Sequence, residues 1–389
     1  MANFLKSVEF TIIFTIFDGV VLVKNVLIIL KKDAVLCAAL LLAVLSLPFA
    51  QSASAVLAGI DFRTLLLLFA LMAVMKGFQS AGVFSSLAGV LLSRTKTSRQ
   101  TAAVLILLCF FTSMLITNDV ALITFVPFAI EVLTLSGRQR DIPLTLVMQT
   151  IAANLGSMLT PIGNPQNLYL FSVSGMTTAE MLVLMLPYWA LSLALVIISL
   201  LFFKSEPSRT ENTRSGAPEK APVLIYSALF ILCLLSVVRV LHYAFAAIVT
   251  AAVILIYNRT ILKKVDYSLL LTFIGFFVFI ANIGGIESVK NAIVSVVNTN
   301  VVLSAIASSQ IISNVPAAIL LSGFTGSFDK LLIGTNLGGL GTLIASMASL
   351  ISYKFAAGAG INRGRYLALF TVLNLIFLTI LAVFYMLIS

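Results

Sequence analysis

Leu115-Ile116-Thr117-Asn118-Asp119-Val120-Ala121, and after it Asn154-Leu155-Gly156-Ser157-Met158-Leu159-Thr160-Pro161-Ile162-Gly163-Asn164-Pro165-Gln166-Asn167, place polar and helix-breaking residues inside apolar sequence. Hydrocarbon tolerates irregular backbone only where it is buried in protein or lines a wet cavity. The pattern returns, weaker, as Ile311-Ile312-Ser313-Asn314-Val315-Pro316-Ala317 and Gly334-Thr335-Asn336-Leu337-Gly338-Gly339-Leu340-Gly341-Thr342. A polar break with an internal copy is the sequence sign of a solute site in a carrier built from repeats.

Composition sets the surroundings of these breaks. The 389 residues are 60% hydrophobic and 10% charged, with mean hydropathy +1.13. Soluble domains carry about 25% charged residues, so this composition describes an all-α integral membrane protein. Apolar blocks of about 20 residues suit helices, whereas barrel strands would alternate over about 10. The net charge of +10 resides in short loops between spans, where it reports orientation and not a nucleic-acid partner. Cys37, Cys109 and Cys233 lie in apolar runs without metal-ligand spacing and read as core residues. No cofactor is implied.

In chain order, residues 1–33 hold a run, Val8 to Leu30, that carries Asp18 and Lys24. It either spans or lies in the interface, with spanning preferred. It leads directly into another apolar run, unlike a cleavable signal. A span from Ala34 to Ala50 follows, then a long one from Thr64 to Leu91 whose Lys76-Gly77-Phe78-Gln79-Ser80 section marks the exit from hydrocarbon. Residues 101–135 are expected to form a re-entrant hairpin tipped at Thr117-Asn118-Asp119, with arms of roughly 16 residues, short of a ~30 Å core. A broken helix over 143–172 and a span from Met181 to Phe203 complete a first repeat, 34–203.

Residues 204–221 are the hydrophilic linker. The second repeat, 222–389, has the same order: spans, a polar connector from Glu287 to Asn300, a hairpin over 300–325, a broken helix over 331–354 and a final span. Asp266-Tyr267-Ser268-Leu269 echoes Asp61-Phe62-Arg63-Thr64. Assigning the loops of Arg94, Arg138 and Lys204 to the cytoplasm also places Lys354, Arg363 and Arg365 there, leaving few basic residues outside. The hairpins then enter from opposite faces, and the repeats are inverted.

A hairpin tip joins free carbonyls, which favour a cation, to free N–H groups, which favour an anion. Asn118 is placed to cap the second arm and Asp119 adds charge beside it. Asn164-Pro165 is a cap and first-turn pair for a restarting helix. Thr160, Gly163 and Asn167 complete the first set of candidate binding residues, and Ser313, Asn314, Thr335, Asn336, Thr342, Ser346 and Ser349 form the second. The inventory suits Na⁺ or H⁺ coupling with a small anion, with Na⁺ held at Asn118, Asp119 and Asn314. It contains no thiolate or imidazole cluster for a transition metal. Gly338, Gly339 and Gly341 serve equally well as close helix contacts. Lys76 and Glu131 read as snorkelling side chains, His242 as incidental, and Gln149 and Gln310 have no assigned role.

At these residues the chain resembles the ion transporter superfamily of divalent-anion/sodium symporters, citrate carriers, arsenite permeases and D-type sodium/proton antiporters. Thr117-Asn118-Asp119 and Ser313-Asn314-Val315 are similar to the symporters' paired Ser-Asn-Thr tips. Thr160-Pro161-Ile162-Gly163-Asn164-Pro165-Gln166-Asn167 resembles the Thr-Pro-Ile-Gly-(Asp/Asn)-Pro-x-Asn run of the arsenite-permease and antiporter branch. The resemblance runs from about Lys31 and is closest to bacterial anion permeases. It implies an elevator carrier of inverted repeats, a homodimer in the bacterial inner membrane. Asp119 and Val315 replace the symporters' Thr, so the two tips differ from that pattern, and the second broken helix lacks the Pro of the first.

The expected function is secondary transport of a small inorganic or carboxylate anion, coupled to Na⁺ or H⁺. The rival is a cation/proton antiporter working through Asp119, kept open because no Arg or Lys lies in the breaks. A channel would be told apart by single-channel currents. A hydrolase would need a Ser–His, Ser–Lys or paired-Asp arrangement, for which the spans supply neither His nor paired acids.

Overall fold

The computed structural model describes residues 34–50, 52–207, 218–284 and 286–388. The expected helix over Val8–Leu30 lies outside them. The described residues are helical, and their one extended pairing is an isolated bridge between Thr97 and Pro207. The helices are α1 Ala34–Ser46, α2 Ala53–Gly59, α3 Phe62–Ser80, α4 Val83–Leu92, α5 Ser98–Ile116, α6 Asn118–Leu135, α7 Ile142–Gly156, α8 Pro165–Ser174 and α9 Thr178–Ser199. After the linker come α10 Lys220–Val237, α11 Tyr243–Asn258, α12 Tyr267–Ile283, α13 Glu287–Thr299, α14 Val301–Ile312, α15 Asn314–Ser322, α16 Phe328–Leu337, α17 Met347–Gly358 and α18 Arg363–Ile388. Among the described residues, 7 helices are long and apolar enough to cross a membrane.

Local chemistry sets many of these ends. Asp61 Oδ1 accepts from Thr64 N (3.2 Å) at the start of α3, and Asp266 Oδ1 accepts from Leu269 N (3.1 Å) at the start of α12, so the sequence echo is a shared cap. Thr97 with Gln100 and Thr177 with Glu180 form capping boxes for α5 and α9. The Thr97 box starts α5 at Ser98, before the apolar run begins. The hairpin arms are consequently 19 and 18 residues long, about 28 and 27 Å at 1.5 Å per residue, longer than expected. The second pair, α14 and α15, has 12 and 9 residues.

Two expectations are corrected. The single span from Thr64 to Leu91 is two helices, because α3 stops at Ser80 and Gly82 turns the chain at φ 71° before α4. The connector from Glu287 to Asn300 is the helix α13. The first linker residues are fastened down: Glu206 pairs with Arg138, Ser98 N donates to Glu206 O (2.9 Å) and Arg99 Nε donates to Phe203 O (2.9 Å). The paired guanidinium, hydrogen-bonded to it, holds the Glu206 carboxyl below its usual range.

The chain forms two compact units, each drawing on both halves of the sequence. Of the described residues, one comprises those up to Ala73 with those of Leu232–Val294, and the other those of Val74–Ile231 with those from Ser295 onward. In the first unit, α1 packs along α12, where Asn282 Nδ2 donates to Ser46 Oγ (2.9 Å), and Arg63 donates to the Ser236 and Val237 carbonyls at the end of α10. In the second unit the packing is exchanged between halves. Helix α17 lies against α6 and α7, while α8 lies against α15 and α16. Both helix pairs and both interrupted helices belong to this unit.

Candidate functional site

The two helix pairs turn through one residue each. Thr117 has φ 68° and ψ 149°, and Ser313 has φ 76° and ψ 152°. A positive φ at a non-glycine residue is strained by about 1–3 kcal/mol and persists only when its surroundings hold it. Here they do, twice and in the same way. Asn118 N donates to Gly163 O (3.0 Å), and Asn314 N donates to Ala345 O (2.9 Å). Thr160 Oγ1 donates to Met114 O, and Thr342 Oγ1 donates to Gln310 O. Each tip is thereby pinned to the break in the interrupted helix that follows it. Asn118 is the first residue of α6 and not its cap, a correction that frees its side chain for other contacts.

The first break runs from the end of α7 through a short 3₁₀ turn, Ser157–Leu159, to the start of α8. Asn164 caps α8 as expected, its Oδ1 accepting from Asn167 N (2.9 Å), with Pro165 next. Asn167 Nδ2 reaches the carbonyls of Ser157 (3.3 Å), Met158 (3.1 Å) and Thr160 (3.1 Å). The turn is so tight that a Cβ on Gly163 would strike Ser157 O. In the second break the same task falls to Gln310 on α14. Its Nε2 donates to Gly338 O (3.0 Å) and Leu340 O (2.9 Å), and its Oε1 accepts from Thr342 N (2.8 Å).

The breaks meet in a buried amide network. Asn118 Nδ2 donates to Asn154 Oδ1 (3.0 Å), which also accepts from Ser346 Oγ (3.1 Å), and Asn154 Nδ2 donates to Gly339 O (3.3 Å). Asn164 Nδ2 donates to Asn336 Oδ1 (3.0 Å), and Asn336 Nδ2 donates to Asn167 Oδ1 (2.7 Å). The Asn154–Ser346 and Asn336–Asn164 links are counterparts with the halves exchanged. These side chains are all buried. Helices α6, α8, α15 and α17 start around the network and α5, α7, α14 and α16 end there, so it presents N–H groups suited to an anion and carbonyls suited to a cation. Its side chains are neutral amides and hydroxyls, able to donate or accept.

The expected residues divide clearly. Asn118, Asn164, Asn167, Asn336 and Ser346 join the network, and Gly163 anchors a tip. Ser313 and Asn314 form the buried second tip, where Ser313 Oγ lies 3.5 Å from Asn314 Oδ1. Thr117 and Asp119 are half-buried at the first tip, with Asp119 N donating to Asn118 Oδ1 (2.9 Å). Thr335 turns away, bonding Leu331 O of its own helix (2.8 Å). Thr342 is exposed, while Thr160 is half-buried. Among the described residues, no group of three or more His, Cys, Asp or Glu is placed to hold a metal ion.

Three residues were missed. Asn154 is the hub, and its signal was available: it precedes Thr160 as Asn336 precedes Thr342. Gln149, fully buried, donates to Leu105 O (3.2 Å) and Phe125 O (3.3 Å), gripping both arms of the first helix pair. Gln310 had no such pattern to reveal it. Lys76, half-buried, donates to Gln79 Oε1 (3.2 Å), and Gln79 donates to Thr124 of α6 (3.2 Å).

Residues 25–327 match the citrate transporter family. An uncharacterized transporter of Methanocaldococcus jannaschii is 34% identical over 328 residues, 84% of this chain and 89% of that protein. The inner membrane protein YbiR of Escherichia coli is 31% identical over 308 residues, 77% of this chain and 81% of its own. A silicon efflux transporter of Oryza sativa is 33% identical over 166 residues, 42% of this chain and 33% of its own.

Proposed function

Because the chain belongs to the citrate transporter family, we propose that it moves a small inorganic or carboxylate anion across the membrane, coupled to Na⁺ or H⁺. It is a multi-pass membrane transporter and not an enzyme. The observation that carries the anion site is the convergence of two identically pinned tips on one amide network. An anion resting there meets the N-terminal ends of helices in place of a basic side chain. Such ends bind carboxylate or oxyanion groups without the desolvation that a buried Arg or Lys would bring.

The mechanism we infer is an elevator with inverted repeats. The loop charges support hairpins that enter from opposite faces, and the short arms of α14 and α15 suit a hairpin that enters and leaves by one face. The unit carrying the tips and breaks would move, and the dimer would form through the other. By analogy with YbiR, an inner membrane protein, the chain resides in a bacterial inner membrane. The coupling cation would bind at the tips, with Asn118, Asp119 and Asn314 supplying oxygens.

A second reading is a cation/proton antiporter using Asp119. It is favoured by one feature, that the network is made of neutral side chains while a carboxylate stands beside it at the first tip. Uptake into proteoliposomes separates the two. Citrate, a dicarboxylate, phosphate, sulfate, arsenite and silicic acid are each offered with Na⁺ and pH gradients imposed separately. Gradient-driven accumulation of a solute supports the anion carrier. Sodium-for-proton exchange that ignores every solute supports the antiporter.

A further inference from the structure

The polar residues of α7, α17 and α18 continue beyond the amide network. From Ser346, bonded to Asn154, α17 carries Ser349 and Ser352 at intervals of three residues while packing along α7. Ser352 Oγ lies 2.9 Å from Tyr366 Oη on α18 and donates to Leu146 O of α7 (3.4 Å). Thr150 on α7 donates to the same Leu146 O (2.8 Å). All five hydroxyls belong to residues no more than 1% exposed. Ser349 Oγ, between its two partnered neighbours Ser346 and Ser352, is fully buried and has no hydrogen-bond partner among the described residues. A buried hydroxyl in that position calls for a small hydrogen-bonding species beside it.

The other half of the molecule shows what helix packing alone requires. The counterpart links Asn154–Ser346 and Asn336–Asn164 fix the register between the halves. In that register Leu332 takes the place of Thr150 and Leu170 that of Ser352. Met181, the first buried residue of α9, matches Tyr366, the first buried residue of α18. All three are as buried as their polar counterparts. At these three positions the counterpart helices pack with apolar side chains, whereas Asn164 and Asn167 stand opposite Ser346 and Ser349, so hydroxyls at Thr150, Ser352 and Tyr366 are groups whose burial is unfavourable unless bonded. Tyr366 lies one turn inside α18 from Arg363, at the end bearing Lys354 and Arg365, the cytoplasmic face by the charge rule.

We propose that Tyr366, Ser352, Ser349 and Ser346 form a proton path from the cytoplasmic face to the amide network. This rests on the transporter reading above and assigns H⁺ as the coupling ion. Each hydroxyl accepts a proton on its oxygen from the cytoplasmic side while releasing its own toward the network, so none is left altered. One proton leaves cytoplasmic water, and one arrives at the network, where an oxygen of the bound anion takes it. Thr150, bonded to the same Leu146 carbonyl as Ser352, acts as a positioning residue. Asp119, at the tip, lies outside the row.

The test uses pyranine-loaded proteoliposomes of the full chain, with the solute panel described above on both faces and an imposed pH gradient. Proton entry should fall about tenfold in Tyr366→Phe, the effect of a barrier raised by ~1.4 kcal/mol. Solute exchange without a gradient should stay near wild type. Ser349→Ala, which removes a hydroxyl with no partner among the described residues, should lower proton entry likewise and guards against misfolding of the tyrosine variant. Unchanged proton entry in both variants would overturn the path. So would wild-type proton entry no faster than protein-free vesicles, or accumulation driven by Na⁺ with no proton movement. Loss of solute exchange in the wild type itself would instead defeat the transporter reading on which the path depends.

Discussion

Replacing Asn154 with alanine tests whether the amide network is the keystone between the two breaks. The side chain is 3% exposed and makes contacts to Asn118 Nδ2, Ser346 Oγ and Gly339 O. Its removal strands three buried polar groups. Each stranded group costs about 1–3 kcal/mol, and because they share one network the sum is taken at the low end, about 3 kcal/mol. For a chain of this size roughly 2 °C is expected per kcal/mol, so the melting temperature in detergent should fall by about 6 °C. A thiol-reactive fluorophore reports the transition, since Cys109 and Cys233 are fully buried until unfolding, and Cys37 is first replaced by alanine. Thr335→Ser serves as a control, because that hydroxyl bonds only within its own helix. The reasoning fails if Asn154→Ala melts within about 1 °C of wild type. It also fails if the effects of Asn154→Ala and Asn118→Ala simply add, since residues in one hydrogen-bond network should couple by about 0.5 kcal/mol or more.

Asn118→Ala and Asn314→Ala should each abolish most solute uptake while the protein still purifies as a single species; normal uptake by both would move the site elsewhere. Asp119→Asn should flatten the dependence of flux on the driving-ion gradient between roughly pH 5.5 and 8.5, a range a raised carboxylate pKa could reach; profiles identical to wild type would make Asp119 structural. Glu206 lies in a loop with its pKa lowered by Arg138, so its contribution to stability is present above the ordinary carboxylate value of about 4.3 and is lost as pH falls through its lowered value. The wild type should accordingly outlast Glu206→Gln in thermal melts at neutral pH and lose that advantage in acid, whereas an advantage constant with pH would contradict the pairing. In a chain without its native cysteines, one at Ser215 should be labelled only from the cytoplasm and one at Gly175 only from outside; the opposite pattern at either would overturn the inverted arrangement.

Several features of the site were legible because they depend on neighbours along the chain. Asn164 before Pro165 is a cap in any context, and the structure uses it as one. Thr117-Asn118 and Ser313-Asn314 mark turns inside apolar runs, and both are turns with nearly the same backbone angles. Asp61 and Asp266, which open the two echoing stretches, both cap their helices. The errors came where distant contacts override local pattern. The stretch through Leu91 reads as one hydrophobic span, yet the chain turns at Gly82. Thr335 was indistinguishable from its neighbours by residue type, and helix phase alone turns it toward its own backbone.

Hydropathy, loop charge and the repeated breaks were enough to establish a multi-helix membrane protein and to indicate where its backbone is interrupted, because each is a property of residues close in sequence. The partners inside the breaks belong to the tertiary structure. Asn154 meets Ser346 and Asn164 meets Asn336 only because helices from opposite halves pack in one register, and Ser352 meets Tyr366 only because α17 packs against α18. Rotating a helix by one residue, about 100°, would aim each of these side chains elsewhere without changing the hydrophobic pattern that buries the helix as a whole. That is why Gln149 and Gln310 looked idle in the sequence. Their amides act on carbonyls of other helices, and nothing local records where those carbonyls lie.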